Sequence, residues 1–513
     1  MSAFRPQARS LALGELLAAA GIGVRLDAPG AALRVTGVCD DSRIVSAGDI
    51  YLALRGAQAD GRVHIAQAIE AGAVAVLAEA DDSVAVDSSV NGVPVIAVPR
   101  LRALAGVIAA QFHGVPSRRL AVVAVTGTNG KTTTSWLVAQ ALEQLGCRAA
   151  VMGTLGVGAV GNGPREPLRN TTPGAVELQS LLAGLADAGY GAVAMEASSI
   201  GIEQHRLAGT ELRAALFTNL SRDHLDYHGT MEAYAEAKAP LFSWPGLDGA
   251  VLNGDDPHAL QWLASGRVRA GRVYTYGAAG RGHDIELLDL AAGEQGSRLA
   301  LRVEGQAVTL ETRLLGGFNA ANLMAVIGAL RVLGYPLDAI CAALGELRPP
   351  AGRMESFGGG HAPLCVVDYA HSPDALEKVL GVLRERSTGA LWCVFGCGGD
   401  RDRGKRAQMG AIAARLADMS VITSDNPRSE APQAIVDDIL AGMKDLPPGR
   451  VRVVLDRADA IARAVQQAGA GDTVLVAGKG HEDYQEIAGV RLPFSDRDAV
   501  VAALAARAAG GAA

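Results

Sequence analysis

The chain is poor in cysteine and in aromatic residues: it has six cysteines in 513 residues, and its aromatic fraction is 4%. Six cysteines in so long a chain do not make a disulfide framework. No apolar run is long enough to span a membrane, and a net charge of −7 gives no reason to expect nucleic acid as a partner. The N-terminus, "MSAFRPQARSLALGELLAAAG", has the pattern of a short amphipathic helix and lacks the continuous apolar core of a signal peptide. These features predict a cytoplasmic protein in a reducing environment.

Hydrophobic residues make up 49% of the chain, which is enough for full globular cores. A chain of 513 residues is too long for one core, so we expect two to four domains. Short apolar strands alternate with helices, and this alternation predicts α/β domains with mostly parallel sheets and helices on both faces. A polar connection at "PSRR" and a proline break at "ELRPPAGRME" divide the chain. The predicted domains are 1–115, 116–347 and 348–513.

The stretch "AVVAVTGTNGKTTTSWLVAQAL" contains a valine-rich strand, a glycine turn and a helix in close succession. Backbone N–H groups and the positive end of the helix dipole then point at one place, which makes an anion site. Lys131 adds a charge for the outer phosphates of a nucleotide, and the Thr132 hydroxyl can ligate Mg²⁺. Val125 stands where the general pattern has its first glycine, so we expect a tighter phosphate turn anchored on Gly127. A plain turn before a helix is the alternative.

Acidic residues and histidines follow two later strands. Glu196 ends the strand of "VAMEASS", where a carboxylate can hold Mg²⁺ directly or through water. A solvated loop acid explains this residue equally well. The segment "TNLSRDHLDYHG" contains Asp223, His224, Asp226 and His228, whose spacing matches no zinc pattern. The sequence therefore suggests a polar site here without defining its ligand.

Three further features have a structural explanation beside a functional one. Lys238, in "MEAYAEAKAPLF", would ordinarily be a solvated surface charge. Asn319 and Asn322 lie on the same face at the start of a helix, where they could cap the helix or bind the edge of a base. Cys393 and Cys397 have no two further zinc ligands near them in the sequence, so we expect buried reduced thiols.

In the last third of the chain, each apolar strand ends in a glycine-rich or acidic turn. Open α/β sheets bind their ligands at these carboxyl ends. The turns "GCGGDRDRGKR", "TSDNPRSE" and "AGKGHEDYQ" carry arginines together with acids. Because arginine binds carboxylate groups bidentately, this composition suits an acceptor that carries both ammonium and carboxylate groups.

Ordered motifs cover nearly the whole chain: "DDSR", "GAQADG", "TGTNGKTT", "NTTP", "MEASS", "QHR", "DHLDYHG", "GFNAAN", "GRME", "DYAHSPDAL", "GCGGDRDRGKR", "DNPR" and "GKGHEDYQ". This set resembles the Mur ligases, the ATP-dependent amino-acid-adding family of peptidoglycan synthesis, and it is most similar to the members that add diaminopimelate. The family's P-loop also starts at the glycine that corresponds to Gly127. The resemblance implies three α/β domains, with a central P-loop domain that binds ATP and a Rossmann-like C-terminal domain that binds the amino acid. It also implies a cytoplasmic role in cell-wall biogenesis, cell shape and division.

The resemblance implies roles for individual residues. ATP would be bound by Gly127, Thr128, Asn129, Gly130, Lys131, Thr132, Thr133, Asn319 and Arg353. The UDP-muramoyl dipeptide would be bound by Asp40, Ser42, Ala57, Gln58, Ala59, Asn170, Thr171, Thr172, Ser198, Gln204 and Arg206. Diaminopimelate would be bound by Arg401, Asp425, Asn426, Pro427, Arg428, Gly478 and Glu482. Mg²⁺ would be served by Thr132, Glu196, His224 and Lys238.

For Lys238 the resemblance implies a carbamate (N6-carboxylysine), an anion able to coordinate Mg²⁺, and this replaces the surface interpretation. Lys131, Lys238 and His224 are the implied catalytic residues. The implied reaction transfers the γ-phosphoryl group of ATP to a substrate carboxylate, and the amine of diaminopimelate then attacks the acyl phosphate. Closure of the domains must exclude water from that intermediate.

Other functions remain open from the sequence. Within the same reaction class, the chain could be an L-lysine-adding enzyme or a folylpolyglutamate synthetase, although the muramoyl motifs and the N-terminal domain disfavour the folate enzyme. From a different class, it could be a P-loop NTPase that switches or pumps, although the absence of membrane segments disfavours a pump. The expected partners are small molecules, with neither nucleic acid nor a membrane among them.

Overall fold

The computed structural model describes residues 4–24, 26–56, 60–80, 88–161, 165–292, 296–444, 446–447 and 449–510. These residues form three α/β domains, each built on a large sheet of its own. No helix in the described ranges is both long and apolar enough to cross a bilayer.

The N-terminal domain is built on a five-stranded sheet that is parallel except at one edge. Its elements are β1 Leu11–Ala12, α1 Leu13–Ala19, α2 Ala28–Ala32, β2 Arg34–Val35, β3 Gly37–Cys39, β4 Asp49–Ala53, α3 Ile65–Glu70, β5 Ala75–Glu79, β6 Ser88–Val90, β7 Val93–Val98 and α4 Leu101–Phe112. The strand order is β3-β4-β5-β7-β6, and only β6 runs antiparallel to its neighbour. Strands β1 and β2 pair separately beside this sheet.

The expectation of a helix over the first 21 residues is only partly right, because α1 covers Leu13–Ala19 alone. The segment before α1 crosses to the middle domain instead. Phe4 is buried there, with its ring edge-on to Tyr190 at 6.1 Å. A Cβ on Gly184 would lie 2.0 Å from the carbonyl oxygen of Phe4, so the glycine allows the segment to approach closely. Burial of a large aromatic side chain outweighs the local helical preference.

The middle domain is built on an eleven-stranded sheet. Its strands are β8 Ala121–Thr126, β9 Ala149–Gly153, β10 Gly156–Ala159, β11 Arg165–Glu166, β12 Ala192–Glu196, β13 Ala214–Phe217, β14 Gly249–Asn253, β15 Arg272–Ala278, β16 Ile285–Ala292, β17 Ser297–Val303 and β18 Gln306–Thr312. Its helices are α5 Lys131–Gln144, α6 Ala175–Asp187, α7 Ser199–Glu203, α8 Leu225–His228, α9 Met231–Lys238, α10 Pro257–Ala264, α11 Gly317–Val332 and α12 Leu337–Gly345. The strand order is β11-β10-β9-β12-β8-β13-β14-β15-β16-β17-β18.

The part of this sheet from β9 to β16 is parallel, and antiparallel strands extend both edges. Side chains alternate between the faces along β8, as in any strand. Val123 and Val125 pack with helices α5 and α11, whereas Val122 and Ala124 pack with α6 on the other face. The predicted mostly parallel sheet with helices on both faces is therefore confirmed.

The C-terminal domain is built on a six-stranded sheet in the order β19-β20-β24-β21-β22-β23, which is parallel except for its first strand. Its strands are β19 Glu355–Gly358, β20 Leu364–Asp368, β21 Leu391–Phe395, β22 Met419–Ile422, β23 Val451–Val453, β24 Thr473–Ala477, β25 Tyr484–Ile487 and β26 Val490–Pro493. Its helices are α13 Pro373–Arg386, α14 Gly404–Leu416, α15 Pro432–Leu440, α16 Arg457–Gln467 and α17 Asp496–Gly510. Separate apolar cores cover the two faces, which confirms the Rossmann-like expectation.

The cysteines bear out the expectation of reduced thiols. All six are free, and Cys393 and Cys397 are buried. Burial alone raises the pKa of the Cys393 thiol, so it stays protonated. No cluster of three histidine, cysteine or acidic side chains that could hold a metal ion by itself occurs in the described residues.

One ion pair in the C-terminal domain is fully buried and gives a test of the fold. Arg457 at the start of α16 donates to both carboxylate oxygens of Asp496 at 2.7 and 2.8 Å. Arg457→Ala leaves that carboxylate buried without its partner, so we expect a loss of about 3–5 kcal/mol in the free energy of unfolding of this domain. Arg463→Ala on the same helix breaks an exposed pair with Asp459 and should cost less than about 1 kcal/mol. Equal denaturation midpoints for the two variants would contradict this account.

Candidate active site

The site lies where parallel strands of the middle domain end. Strands β12, β8 and β13 are direct neighbours, so their carboxyl ends meet at one edge of the sheet. At this edge β8 leads into the glycine turn, β12 ends at Glu196, and β13 is followed by Thr218 and Asn219. Ligand sites of open α/β sheets form at such an edge.

The glycine turn packs closely against the segment after β13. Gly127 has φ +146°, and a Cβ there would lie 1.9 Å from Oγ1 of Thr218. The Thr218 hydroxyl donates to the carbonyl of Asn129 at 2.6 Å. The backbone N–H of Asn129 donates to Oδ1 of Asn219 at 3.0 Å. The structure thus contains the tight turn expected from the sequence, and residues directly after β13 hold this turn by hydrogen bonds.

Helix α5 begins at Lys131, whose side chain folds back over the turn. Its ammonium group donates to the carbonyls of Gly127 and Thr128, both at 2.8 Å. Burial lowers the pKa of Lys131, and the nearby carboxylates of Glu196 and Asp223 oppose this shift. The ammonium therefore lies at the opening of the anion site, as the sequence predicts for a group that contacts outer phosphates.

Glu196 is not a solvated loop acid, because its side chain is 1% exposed. Its Oε1 accepts from the Thr132 hydroxyl at 2.9 Å and from the backbone N–H of Thr154 at 2.7 Å. The Thr132 oxygen also accepts from Nη2 of Arg353 at 3.3 Å. The residues predicted to serve Mg²⁺ and phosphate are thereby brought together on one side of the P-loop.

Lys238 is one of the most buried charged side chains of the chain, at 1% exposure. Its ammonium group donates to the Gly127 carbonyl at 3.1 Å and lies 4.3 Å from the centre of the Tyr234 ring. Within the described ranges it forms no ion pair with a carboxylate. Burial, followed by repulsion from Lys131, holds the pKa of Lys238 well below its usual value. The surface interpretation of this lysine is therefore wrong.

The histidines after β13 have different surroundings. His224 has φ +53°, and its Nε2 lies 3.6 Å from the Asp223 carboxylate. The His224 ring lines a cavity together with Lys131 and Glu196, which we call the reaction cavity. His228 points elsewhere, since its Nε2 shares a hydrogen bond with the Ser199 hydroxyl at 2.8 Å. The structure therefore brings only His224 to the predicted site.

A cavity of about 470 Å³ adjoins the P-loop between the middle and C-terminal domains, and we call it the nucleotide cavity. Thr133 and Asn319 line it, together with Phe318 and Tyr276. Asn319 donates to the carbonyl of Leu315, and its Oδ1 accepts from Asn322 at 3.2 Å. An aromatic and amide lining next to a phosphate turn suits a purine base.

The residues predicted for the muramoyl dipeptide form a polar network next to Glu196. The Thr172 hydroxyl donates to the Glu196 carbonyl at 2.8 Å and contacts the Ser198 hydroxyl at 3.1 Å. Arg206 donates to the carbonyl of Thr172 and to the side-chain oxygen of Gln204, both at 2.8 Å. Asn170 and Thr171 line the reaction cavity with Lys131 and Glu196.

The predicted uridine-binding residues lie at the end of β3 in the N-terminal domain. Asp40 is exposed there, whereas Ser42 is buried and donates to the side-chain oxygen of Gln67 at 3.1 Å. Ala57, Gln58 and Ala59 lie outside the described residues.

A third cavity, called the acceptor cavity below, lies across the cleft, between the C-terminal domain and the segment around His224. Its lining includes six of the seven residues predicted to bind the amino acid: Arg401, Asp425, Asn426, Arg428, Gly478 and Glu482. Pro427 is outside the lining, and its carbonyl packs against Gly399.

Within this cavity the β25–β26 hairpin positions the "DNPR" turn. Arg428 has φ +51° and pairs with the hairpin, since its N–H donates to the Glu486 carbonyl at 3.0 Å. Asn426 donates to Glu482 at 2.9 Å and accepts from Lys479 at 3.1 Å. The cavity therefore presents carboxylates, an amide and arginines, a set that suits a molecule with both ammonium and carboxylate groups.

Two residues at this cleft had no predicted role. His371 lines the nucleotide, reaction and acceptor cavities, and its Nδ1 lies 2.8 Å from the Tyr369 carbonyl. Burial and the Lys405 charge lower the pKa of His371 to about 4, so its imidazole is neutral at pH 7. Asp374 contacts the side chain of Asn129. Both lie in "DYAHSPDAL", a motif that marked the resemblance and carries an acid and a histidine just after a strand end.

The fold and the cleft together are those of a three-domain P-loop enzyme. Three profiles of one family match the chain in order. They are described as Mur ligase family, catalytic domain at residues 34–113, Mur ligase middle domain at 125–330, and Mur ligase, glutamate ligase domain at 352–480. The chain belongs to the Mur ligase family.

Two relatives and one solved structure illustrate what the chain is similar to. A relative from Chromobacterium violaceum named UDP-N-acetylmuramoyl-L-alanyl-D-glutamate–2,6-diaminopimelate ligase is 51% identical over 458 residues, which cover 89% of this chain and 91% of the relative. A Pseudomonas aeruginosa relative of the same name is 49% identical over 466 residues, which cover 91% of this chain and 94% of the relative. A solved structure of a ligase with this name superposes with a TM-score of 0.72 at 38% identity, covering 98% of this chain and all of the other.

The position of Lys131 predicts the result of removing its charge. Lys131→Ala should abolish ATP-driven phosphate release, because the turn loses the cation aimed at the outer phosphates. The turn is held by Thr218 and Asn219, so the fold should remain intact by circular dichroism and thermal unfolding. The exposed Lys444→Ala in the C-terminal domain serves as a control with unchanged activity. A folded Lys131→Ala enzyme with near-normal turnover would refute the phosphate assignment.

Proposed function

We propose that this chain ligates meso-2,6-diaminopimelate to UDP-N-acetylmuramoyl-L-alanyl-D-glutamate with ATP, through an acyl phosphate, to give the UDP-muramoyl tripeptide of peptidoglycan synthesis. The observation that carries the proposal is the convergence of three sites on one cleft. Lys131 of the P-loop, Thr171 and Glu196 line one cavity, and His371 lines both this cavity and the acceptor cavity. The names of relatives about half identical over most of the chain support the same substrates.

The residues of the cleft suit each stage of such a reaction. A carboxylate is a poor electrophile, and phosphorylation gives it a good leaving group. Lys131 and Arg353 lie where charge develops during the phosphoryl transfer, and fixed positive groups lower that barrier. The neutral amine then attacks the acyl carbon, and phosphate leaves. Residues of the C-terminal domain line one side of this cleft, and closure of that domain would keep water from the intermediate.

The donor set at the P-loop fits Mg²⁺. This ion prefers oxygen ligands and is usually held by one or two carboxylates together with substrate phosphates. Glu196 and Thr132 offer two buried oxygens 2.9 Å apart, and His224 faces the same cavity. Bound there, Mg²⁺ would neutralise the charge of the transferred phosphoryl group.

We further assign Lys238 as a carbamate. Its depressed pKa favours the neutral amine, whose nitrogen can bond to the carbon of CO₂ and release a proton to give N6-carboxylysine. The product is an anion beside Lys131, which replaces a repulsive pair of cations by an attractive pair. A carboxylate at this position also adds a ligand for Mg²⁺.

The carbamate predicts chemical rescue. Lys238→Ala should be nearly inactive, and added formate or acetate should restore part of the activity by replacing the missing anion. Lys131→Ala is the matched control, because an added anion cannot replace a cation there. Turnover by Lys238→Ala equal to that of the wild type would contradict the assignment, and so would equal responses of the two variants to carboxylates.

The acceptor cavity predicts selectivity for diaminopimelate over L-lysine. Lysine lacks the second carboxylate, so it would leave a cavity arginine partly desolvated and without its anion. Selectivity built on a required polar group can exceed about 10⁴-fold. Arg428→Ala should raise the KM for diaminopimelate sharply with little effect on the KM for ATP, whereas Arg463→Ala, on an exposed face of the same domain, should change neither. If the wild type used both amino acids equally well, the assignment of diaminopimelate as the preferred acceptor would be wrong, but the ligase reaction would not be contradicted.

A phosphate-release screen distinguishes the remaining functions. It combines ATP and UDP-muramoyl-Ala-Glu with a panel of amino acids. A ligase releases phosphate from ATP only when both the UDP-muramoyl dipeptide and an amino acid are present. A switching NTPase releases phosphate from ATP without either of them. We also propose that the domain boundaries fall near residues 115 and 347, that the protein acts in the cytoplasm, and that its partners are these small molecules.

A further inference from the structure

One contact joins the P-loop directly to the C-terminal domain. Nδ2 of Asn129 donates to Oδ2 of Asp374 at 2.7 Å, across 245 residues of sequence. The Ser221 hydroxyl lies 3.4 Å from the same oxygen. Other polar contacts between the two domains are longer, among them Gln140 to the Arg348 carbonyl at 2.8 Å, Arg386 to the Gly296 carbonyl at 3.0 Å and Arg353 to Thr132 at 3.3 Å. A hydrogen bond to a carboxylate is also stronger than one between neutral groups.

Both partners of this bond are held in place by their own domains. The backbone of Asn129 is fixed by Thr218 and Asn219, as described above. Asp374 lies in the first turn of α13, where Ser372 caps the helix and Lys378, one turn later, forms an ion pair with the carboxylate at 2.9 Å. The bond therefore connects two rigid elements.

Helix α13 also follows the segment that lines the reaction cleft. Asp368 ends β20, and Tyr369 and His371 lie between β20 and α13; each of the three lines the nucleotide cavity. The acceptor cavity continues from His371 to Ser372 and Pro373 at the start of the same helix. A shift of α13 relative to the P-loop would therefore move the acceptor cavity relative to the transferred phosphate.

We propose that Asp374 is a positioning residue that fixes the C-terminal domain on the P-loop, so that the amine reaches the acyl phosphate before water does. This inference rests on the proposed ligase reaction. The Asp374 carboxylate contacts the loop side chain and does not line the nucleotide, reaction or acceptor cavity. Without this bond, acyl phosphate still forms at the P-loop but is partly hydrolysed, because the cleft is less tightly closed.

The experiment measures phosphate and tripeptide in the same reaction for the full-length enzyme. Wild type should give one phosphate per tripeptide. Asp374→Ser suits the first turn of a helix but is too short to reach Asn129, and it should raise the ratio of phosphate to tripeptide about tenfold, the effect of losing a hydrogen bond to a charged group. A purely structural defect lowers both products equally and leaves the ratio unchanged.

Three further variants make the test specific. Asp374→Asn keeps an oxygen acceptor at the same distance and should retain a ratio close to that of the wild type. Glu377→Ala, on the same helix, removes an exposed pair with Arg415 and should leave the ratio unchanged. Asn129→Ala removes the other partner of the bond and should raise the ratio of phosphate to tripeptide as Asp374→Ser does. This variant tests the same bond if Asp374→Ser fails to fold.

If Asp374→Ser gave the same ratio of phosphate to tripeptide as the wild type, the inference would be overturned and the ligase reaction would remain intact. A folded Asp374→Ser enzyme that neither releases phosphate nor ligates would overturn it too, because Asp374 would then act in the phosphoryl step. An Asp374→Asn enzyme as uncoupled as Asp374→Ser would contradict the role of the acceptor oxygen. If the wild type made no tripeptide at all, the proposed function itself would fail.

Discussion

The carbonyl oxygen of Gly127 accepts hydrogen bonds from two ammonium groups, those of Lys131 and Lys238. Two cations of like charge at one oxygen repel each other, and burial removes the water that would screen them. Burial, and after it repulsion from Lys131, holds the pKa of Lys238 well below its usual value. The arrangement depends on glycine at position 127, because any Cβ would collide with Thr218. The positions of Lys131 and Lys238 therefore depend on the same residue.

Local patterns predicted much of the fold. The valine run and the glycine turn predicted β8 and the start of α5. The alternation of strands and helices predicted the parallel sheets. The position of residues at strand ends was also predictable, since the carboxyl ends of parallel strands meet at one edge. Glu196 and the "DNPR" turn are examples, and both line the cleft.

Long-range packing was not predictable in the same way. Lys238 ends a short helix with a polar pattern, and only its approach to a loop 111 residues away makes it buried. Phe4 leaves its own domain to pack on α6, which no local pattern indicates. Asp374 likewise has the pattern of an ordinary helix N-terminus, and its partner lies in another domain. In each case the deciding contact joins residues far apart in sequence.

The strand order of the C-terminal sheet has a consequence for how the chain is made. The central strand β24 lies between β20 and β21, although it is the last of the six to be synthesised. As the chain leaves the ribosome, β20 and β21 therefore have no shared neighbour until residue 477 has emerged. The acceptor cavity needs still more of the chain, because Gly478, Glu482 and the hairpin follow β24. A nascent chain can thus complete its P-loop domain long before its amino-acid site, and any product that ends early lacks the second half of the cleft.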